Sequence, residues 1–96
     1  MIPLIRFKSE DEIQTLVEMS DYRLFSAIFT KDVNKALRMA EQYNFGATNI
    51  NGATNYWDPT IPAGGGGGSQ SGHGRSGGKY SIEDMSEERA IVIHLN

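Results

Sequence analysis

The chain contains no cysteine. That absence excludes disulfides, thiolate metal sites and cysteine nucleophiles together. Basic residues are also scarce: 9 Lys and Arg against 12 Asp and Glu leave a net charge of −3. Nucleic acid and anionic membranes both require clustered Lys and Arg, so neither is expected as a main partner. No run of about 18 apolar residues occurs, so no membrane-spanning helix is expected. The opening Met1-Ile2-Pro3-Leu4-Ile5-Arg6 is too short, and lacks the basic start, to serve as a signal peptide. These absences together point to the cytoplasm. With only His73 and His94, far apart and without acidic or histidine neighbours at ligand spacing, no metal site is expected. A surface His73 and a strand His94 are the readings that remain.

What is present reads as α/β. Its 96 residues allow one small domain at most, burying about 60–65% of its unfolded surface. Ile2–Phe7 is a short apolar run suited to a buried strand, with Pro3 tolerated at its start. Ser9-Glu10-Asp11-Glu12 forms a capping box, and Ile13, Leu16 and Val17 make an apolar stripe, predicting a helix over 10–19. Ser26–Thr30 reads as a second strand. Asp32 caps a second helix over 33–43, with Val33, Ala36, Leu37 and Ala40 at helical spacing and Gly46 ending the turn after it. Ala47–Ile50 is a third strand. Alternation at this spacing predicts two βαβ units with three parallel neighbouring strands: Leu4–Phe7, Ala27–Thr30 and Ala47–Ile50. Two helices can hardly cover both faces of a parallel sheet, so this half-sheet looks cut from a larger one.

Beyond Asn51 the composition turns to Gly, Ser, Thr, Asn and Pro. The run Gly64–Gly68 could cradle a phosphate, but no Gly-Lys-Ser or Gly-Lys-Thr follows, which argues against a P-loop. As a bare tract it would be a flexible linker. Gly72-x-Gly74-x-x-Gly77 matches the dinucleotide fingerprint by letter, without the strand that should precede it. Tyr56 and Trp57 fall in a loop, where aromatics serve as buried lid residues or line substrate pockets. Tyr80, Ile82 and Met85 predict a short helix, Glu87-Glu88-Arg89 a solvated turn, and Ala90–Leu95 a terminal strand that would be aggregation-prone if unpaired.

One ordered set of segments carries a family resemblance. Pro62-Ala63-Gly64-Gly65, an insert, then Ser71-Gly72-His73-Gly74-Arg75 resembles the C-terminal end of NAD(P)-dependent aldehyde dehydrogenases. Many of those have Pro-Phe-Gly-Gly followed by Ser-Gly-x-Gly-Arg. Ile2–Phe7 is similar to the strand after their Glu-x-Phe-Gly-Pro motif. Ser20–Asp32 resembles Asn-x-x-x-Tyr-Gly-Leu-x-Ala-x-Val-Phe-Thr-x-Asp, with Arg23 where the family has Gly. Ala36, Ala40, Gly46, Ile50 and Asn51 fall on the Ala-rich helix and Gly-x-x-x-Ile-Asn strand. The resemblance reads Gly64–Gly68 as the family's turn, enlarged by glycines.

It implies a βαβαβ parallel half-sheet of the catalytic domain over residues 1–86, with a Gly-rich loop at 62–78 and a terminal oligomerisation strand at 87–96. Asn51, Tyr56 and Trp57 would belong to the loop guarding a substrate tunnel. Pro62, Ala63, Gly64 and Gly65 would approach the catalytic cysteine, with Ala63 removing the aromatic wall that the family's Phe supplies. The parent reaction is oxidation of an aldehyde to a carboxylic acid with NAD or NADP. Its cysteine, general-base glutamate and cofactor segments belong to other parts of such enzymes. This chain is therefore expected to bind no cofactor and hold no catalytic residue. Its implied partners are itself, as a homo-oligomer, or a complementary aldehyde dehydrogenase fragment; the alternative readings are a stand-alone assembly module or a truncation relic with no catalytic role.

Overall fold

A computed structural model describes residues 1–55 and 58–96. The elements are α1 (Glu10–Glu18), β1 (Phe25–Ile28), α2 (Val33–Tyr43), β2 (Ala47–Ile50) and α3 (Lys79–Asp84). β1 and β2 pair in parallel, Phe25 opposite Ala47 and Ile28 opposite Ile50. The α2 crossover that joins them makes one βαβ unit, and the fold is α/β.

Both long helices start where their caps dictate. Ser9 Oγ accepts from the Glu12 amide, while Glu12 Oε2 accepts from Lys8 N at 2.7 Å, one residue earlier than a regular capping box. Asp32 Oδ1 accepts from Lys35 N at 3.0 Å, and α2 ends at Tyr43 as expected, capped by Asn44 in the left-handed conformation (φ 50°). Asn is among the few non-glycine residues that tolerate that conformation. On α2 the buried line is Ala36, Met39 and Tyr43. Val33 and Leu37 are half exposed, because a two-stranded sheet is too narrow to cover the whole apolar arc.

Two predicted strands do not form. Leu4–Phe7 has no secondary structure, and Ala90–Leu95 likewise has none and no ladder partner among the described residues. Ile2 is 93% and Leu95 91% exposed. Strand propensity supplies side-chain shape, whereas a strand also needs a neighbour's N–H and C=O groups. The sheet is therefore two-stranded, not three-stranded. β1 also ends two residues early, because Thr30 N donates to the Asn51 side chain rather than to a ladder. The radius of gyration is 18.3 Å, against about 12–13 Å for a compact chain of this length.

α1 is clamped to α2 through Glu10, whose carboxylate lies 2.9 Å from both Lys35 Nζ and Arg38 Nη2. Hydrogen bonding to Lys35, then to Arg38, holds the Glu10 carboxyl below its ordinary value. A carboxylate depressed on folding stabilises above its unfolded pKa and loses that contribution as pH falls through its folded value. Glu10→Gln should therefore weaken the acid dependence of α1 docking, and high salt should do the same to the wild type, since the pair is solvent-exposed. Circular dichroism across an acid titration checks this. An unchanged acid limb in Glu10→Gln would remove the clamp from the account.

Between α1, α2 and β1 a cleft of about 430 Å³ remains, walled by Phe7, Ile13, Val17, Ile28, Met39 and Tyr43. Tyr43 is buried, and its hydroxyl has no partner among the described residues. Burial also pushes the phenol pKa up. A buried donor without an acceptor costs free energy that phenylalanine does not incur, so Tyr43→Phe should stabilise the isolated chain by about 1 kcal/mol. The urea midpoint is the measurement, and a lower midpoint would mean the hydroxyl finds an acceptor in solution.

Candidate functional site

The Gly-rich segment is neither a free linker nor an isolated phosphate loop; it is docked on the turn that enters β1. The Arg23 carbonyl accepts from Gly46 N at 2.9 Å and from Gly66 N at 2.7 Å. The Arg23 amide donates to Ser71 Oγ at 2.8 Å, and Gln70 N donates to the Asp21 carbonyl at 2.8 Å. Four hydrogen bonds thus fasten residues 21–23 to β2's entry and to 66–71. Gly65 and Gly66 are buried as a result. The Arg23 side chain turns back on its own segment: Nη1 donates to the carbonyls of Tyr22, at 2.8 Å, and Ser20. Its guanidinium lies 5.6 Å from the Phe45 ring centroid. A bulky residue fits this turn because it covers an aromatic ring instead of pointing into the loop.

The far half of the loop closes on itself. Ala63 and Ser76 exchange both backbone hydrogen bonds at 2.8 Å in an antiparallel bridge. Gly77 N donates to Ser81 Oγ at 2.8 Å, which leads the chain into α3. Gly72, Gly74 and Gly77 have φ of 103°, 75° and 114°. Positive φ accounts for glycine at each position of the fingerprint-like spacing.

The predicted site residues fall at two ends of β2. Gly64 lies against Gly46 at the strand's entry, with Ala63 and Gly65 beside it and Pro62 exposed. Asn51 stands just past the strand's exit, with about 16 Å of extended chain between it and Gly46. Asn51 has φ 56°, its amide donates to Ile28 O at 2.8 Å, and its Oδ1 accepts from Thr30 N at 2.9 Å. It therefore closes the exit of β1 over the start of the crossover. Tyr56 and Trp57 lie outside the described residues. Beyond them comes a turn at Asp58, whose Oδ1 accepts from Thr60 N and Oγ1; that hydrogen bonding, from the hydroxyl first, lowers its pKa.

Sequence reasoning assigned no role to Ser71, Asp21 or the Arg23 carbonyl, which hold the loop down. Their partners lie 43 to 49 residues away, or 23 for Gly46, so no local pattern could have marked them. Among the described residues no group of three or more His, Asp or Glu is placed to hold a metal. None of their helices is long and apolar enough to cross a membrane.

Residues 1–91 match the sequence pattern of the aldehyde dehydrogenase family. The chain belongs to that family. A lactaldehyde dehydrogenase of Methanocaldococcus jannaschii is 41% identical over 93 residues, which is 97% of this chain and 19% of the relative. Among solved structures, glyceraldehyde-3-phosphate dehydrogenase GapN from Methanocaldococcus jannaschii complexed with NADP superimposes with a TM-score of 0.72 at 40% identity, covering 83% of this chain and 17% of that one. A salicylaldehyde dehydrogenase from Pseudomonas putida G7 complexed with salicylaldehyde gives 0.78 at 35% identity, covering 86% and 17%. The chain spans about one fifth of the length of the curated aldehyde dehydrogenases it matches.

Proposed function

We propose that the chain supplies the C-terminal portion of an aldehyde dehydrogenase catalytic domain (residues 1–86) and a terminal oligomerisation strand (87–96), and that it oxidises no aldehyde by itself. The carrying observation is the docked loop. The segment from Pro62 to Arg75 is held on the turn that enters β1 and against the entry of β2, as a wall of a larger site would be, while the chain offers no cysteine nucleophile for that site. Asn51, Pro62, Ala63, Gly64 and Gly65, with Tyr56 and Trp57 between them in sequence, would line the substrate tunnel. NAD or NADP would bind to the remainder of the domain. The complete reaction would transfer hydride from a thiohemiacetal to the nicotinamide and then hydrolyse the thioester.

The exposed ends favour a second aspect of the same reading: association. Leu4, Ile91, Val92 and Ile93 are all largely exposed, and a chain with open sheet edges and apolar ends gains by pairing with itself or with a complementary fragment. The purified chain should show no aldehyde-dependent reduction of NAD or NADP. Co-expression with the matching relative from Methanocaldococcus jannaschii, shortened to lack the segment this chain covers, should restore turnover. Activity of the chain alone would overturn the proposal.

A further inference from the structure

We propose that Asn51 is a site of spontaneous deamidation, with the Gly52 nitrogen as attacking group and the Thr30 amide as the donor that stabilises the developing charge. Three observations meet at this residue. Asn51-Gly52 is the one Asn-Gly pair in the sequence; Asn34, Asn44, Asn49 and Asn55 precede Lys35, Phe45, Ile50 and Tyr56. Asn51 is exposed, and Gly52 N has no hydrogen-bond acceptor among the described residues. The amide oxygen of Asn51 already accepts from Thr30 N at 2.9 Å. That is the distance at which a fixed backbone donor stabilises an oxyanion.

The chemistry balances with water as the only co-reactant. Gly52 N, after losing its proton to solvent base, attacks Asn51 Cγ. The N–Cγ bond forms, and the negative charge collects on Oδ1, facing the Thr30 N–H. The Cγ–Nδ2 bond then breaks, and Nδ2 leaves as ammonia with a proton from solvent. Water opens the resulting five-membered imide at either carbonyl, giving aspartate or isoaspartate. Net charge changes from −3 to −4. The iso-linkage inserts one methylene into the main chain between β2 and the 51–58 segment, where the tunnel loop is proposed to begin.

The test is peptide mapping of the intact chain after incubation at mildly alkaline pH, beside a synthetic peptide of residues 47–55, which lacks Thr30. Asn51 should gain about 1 Da, with isoaspartate detectable, at a rate equal to or above the peptide's. Gly52→Ala should slow the reaction on the order of tenfold, because a Cβ obstructs the approach of its own nitrogen. That variant should fold normally, since the nearest atom to an added Cβ is Asn49 Cβ at 3.8 Å. A rate in the folded chain below the peptide's, earlier modification at another asparagine, or an unchanged rate in Gly52→Ala overturns the proposal.

Discussion

Replacing Gly46 with alanine should detach the Gly-rich loop from the sheet and lower stability more than any other single methyl addition in β2's entry turn. An added Cβ would stand 1.5 Å from the Gly64 carbonyl oxygen and 2.7 Å from its carbon. Both are backbone atoms, so no rotamer change can relieve the overlap. Either Gly64 moves, pulling Gly66 off the Arg23 carbonyl, or the β2 entry moves and weakens the Gly46 bond to that same carbonyl. Overpacking of this kind costs about 3 kcal/mol or more. For a chain of this size that lowers the thermal midpoint by roughly 12–24 °C. The loss is large against a total stability near 5 kcal/mol, the low end for about 100 residues. Gly52→Ala is the control, being unobstructed. Thermal denaturation together with amide exchange at Gly66 and Gln70 reads both effects. A Gly46→Ala chain that melts with the wild type, its loop amides still protected, would contradict the docking described above.

Deleting Ala90–Asn96 should lower the oligomeric state. Ile91, Val92, Ile93 and Leu95 are almost fully exposed. Burying four such side chains is worth roughly 6–12 kcal/mol. The cost of bringing two chains together is about 4–15 kcal/mol. One strand alone therefore barely offsets association, whereas a reciprocal exchange, with each copy contributing its strand, doubles the gain for one association cost. A symmetric dimer, or a higher assembly built from such pairs, is the expected state of the full chain. Sedimentation of the full and shortened chains at matched concentrations decides. Identical assembly in both would remove the terminal strand from the interface.

Elements with a local cause were legible in the sequence, and those with a distant cause were not. α1 and α2 start at Ser9 and Asp32 as expected, since a cap and its helix lie within four residues of each other. β2 matches Ala47–Ile50 residue for residue. β1 was displaced by two residues: Phe29 and Thr30 continue the apolar, β-branched pattern, but Asn51, 21 residues on, takes the Thr30 amide. Ile2–Phe7 and Ala90–Leu95 look like strands by composition, yet nothing in their own letters provides a neighbouring edge. The family of the Gly-rich segment was legible in its spacing, but its attachment to Arg23, Asp21 and Ser71 was not. Arg23 itself reads as a misfit at a turn until its guanidinium is seen over Phe45. Asn51 was readable as a residue of note, but it closes the exit of β1, while the Pro62–Gly65 turn sits at the other end of β2.

The two bare ends of the chain carry a consequence for its life in a cell. Short, apolar stretches left exposed are the features that chaperones hold and that proteases thread. A copy without a partner would be bound or degraded continually, while a copy whose ends are covered would be spared. Under the association proposed above, the amount of this chain would then follow the amount of its partner rather than the rate of its own synthesis. Its half-life would measure how often it is alone.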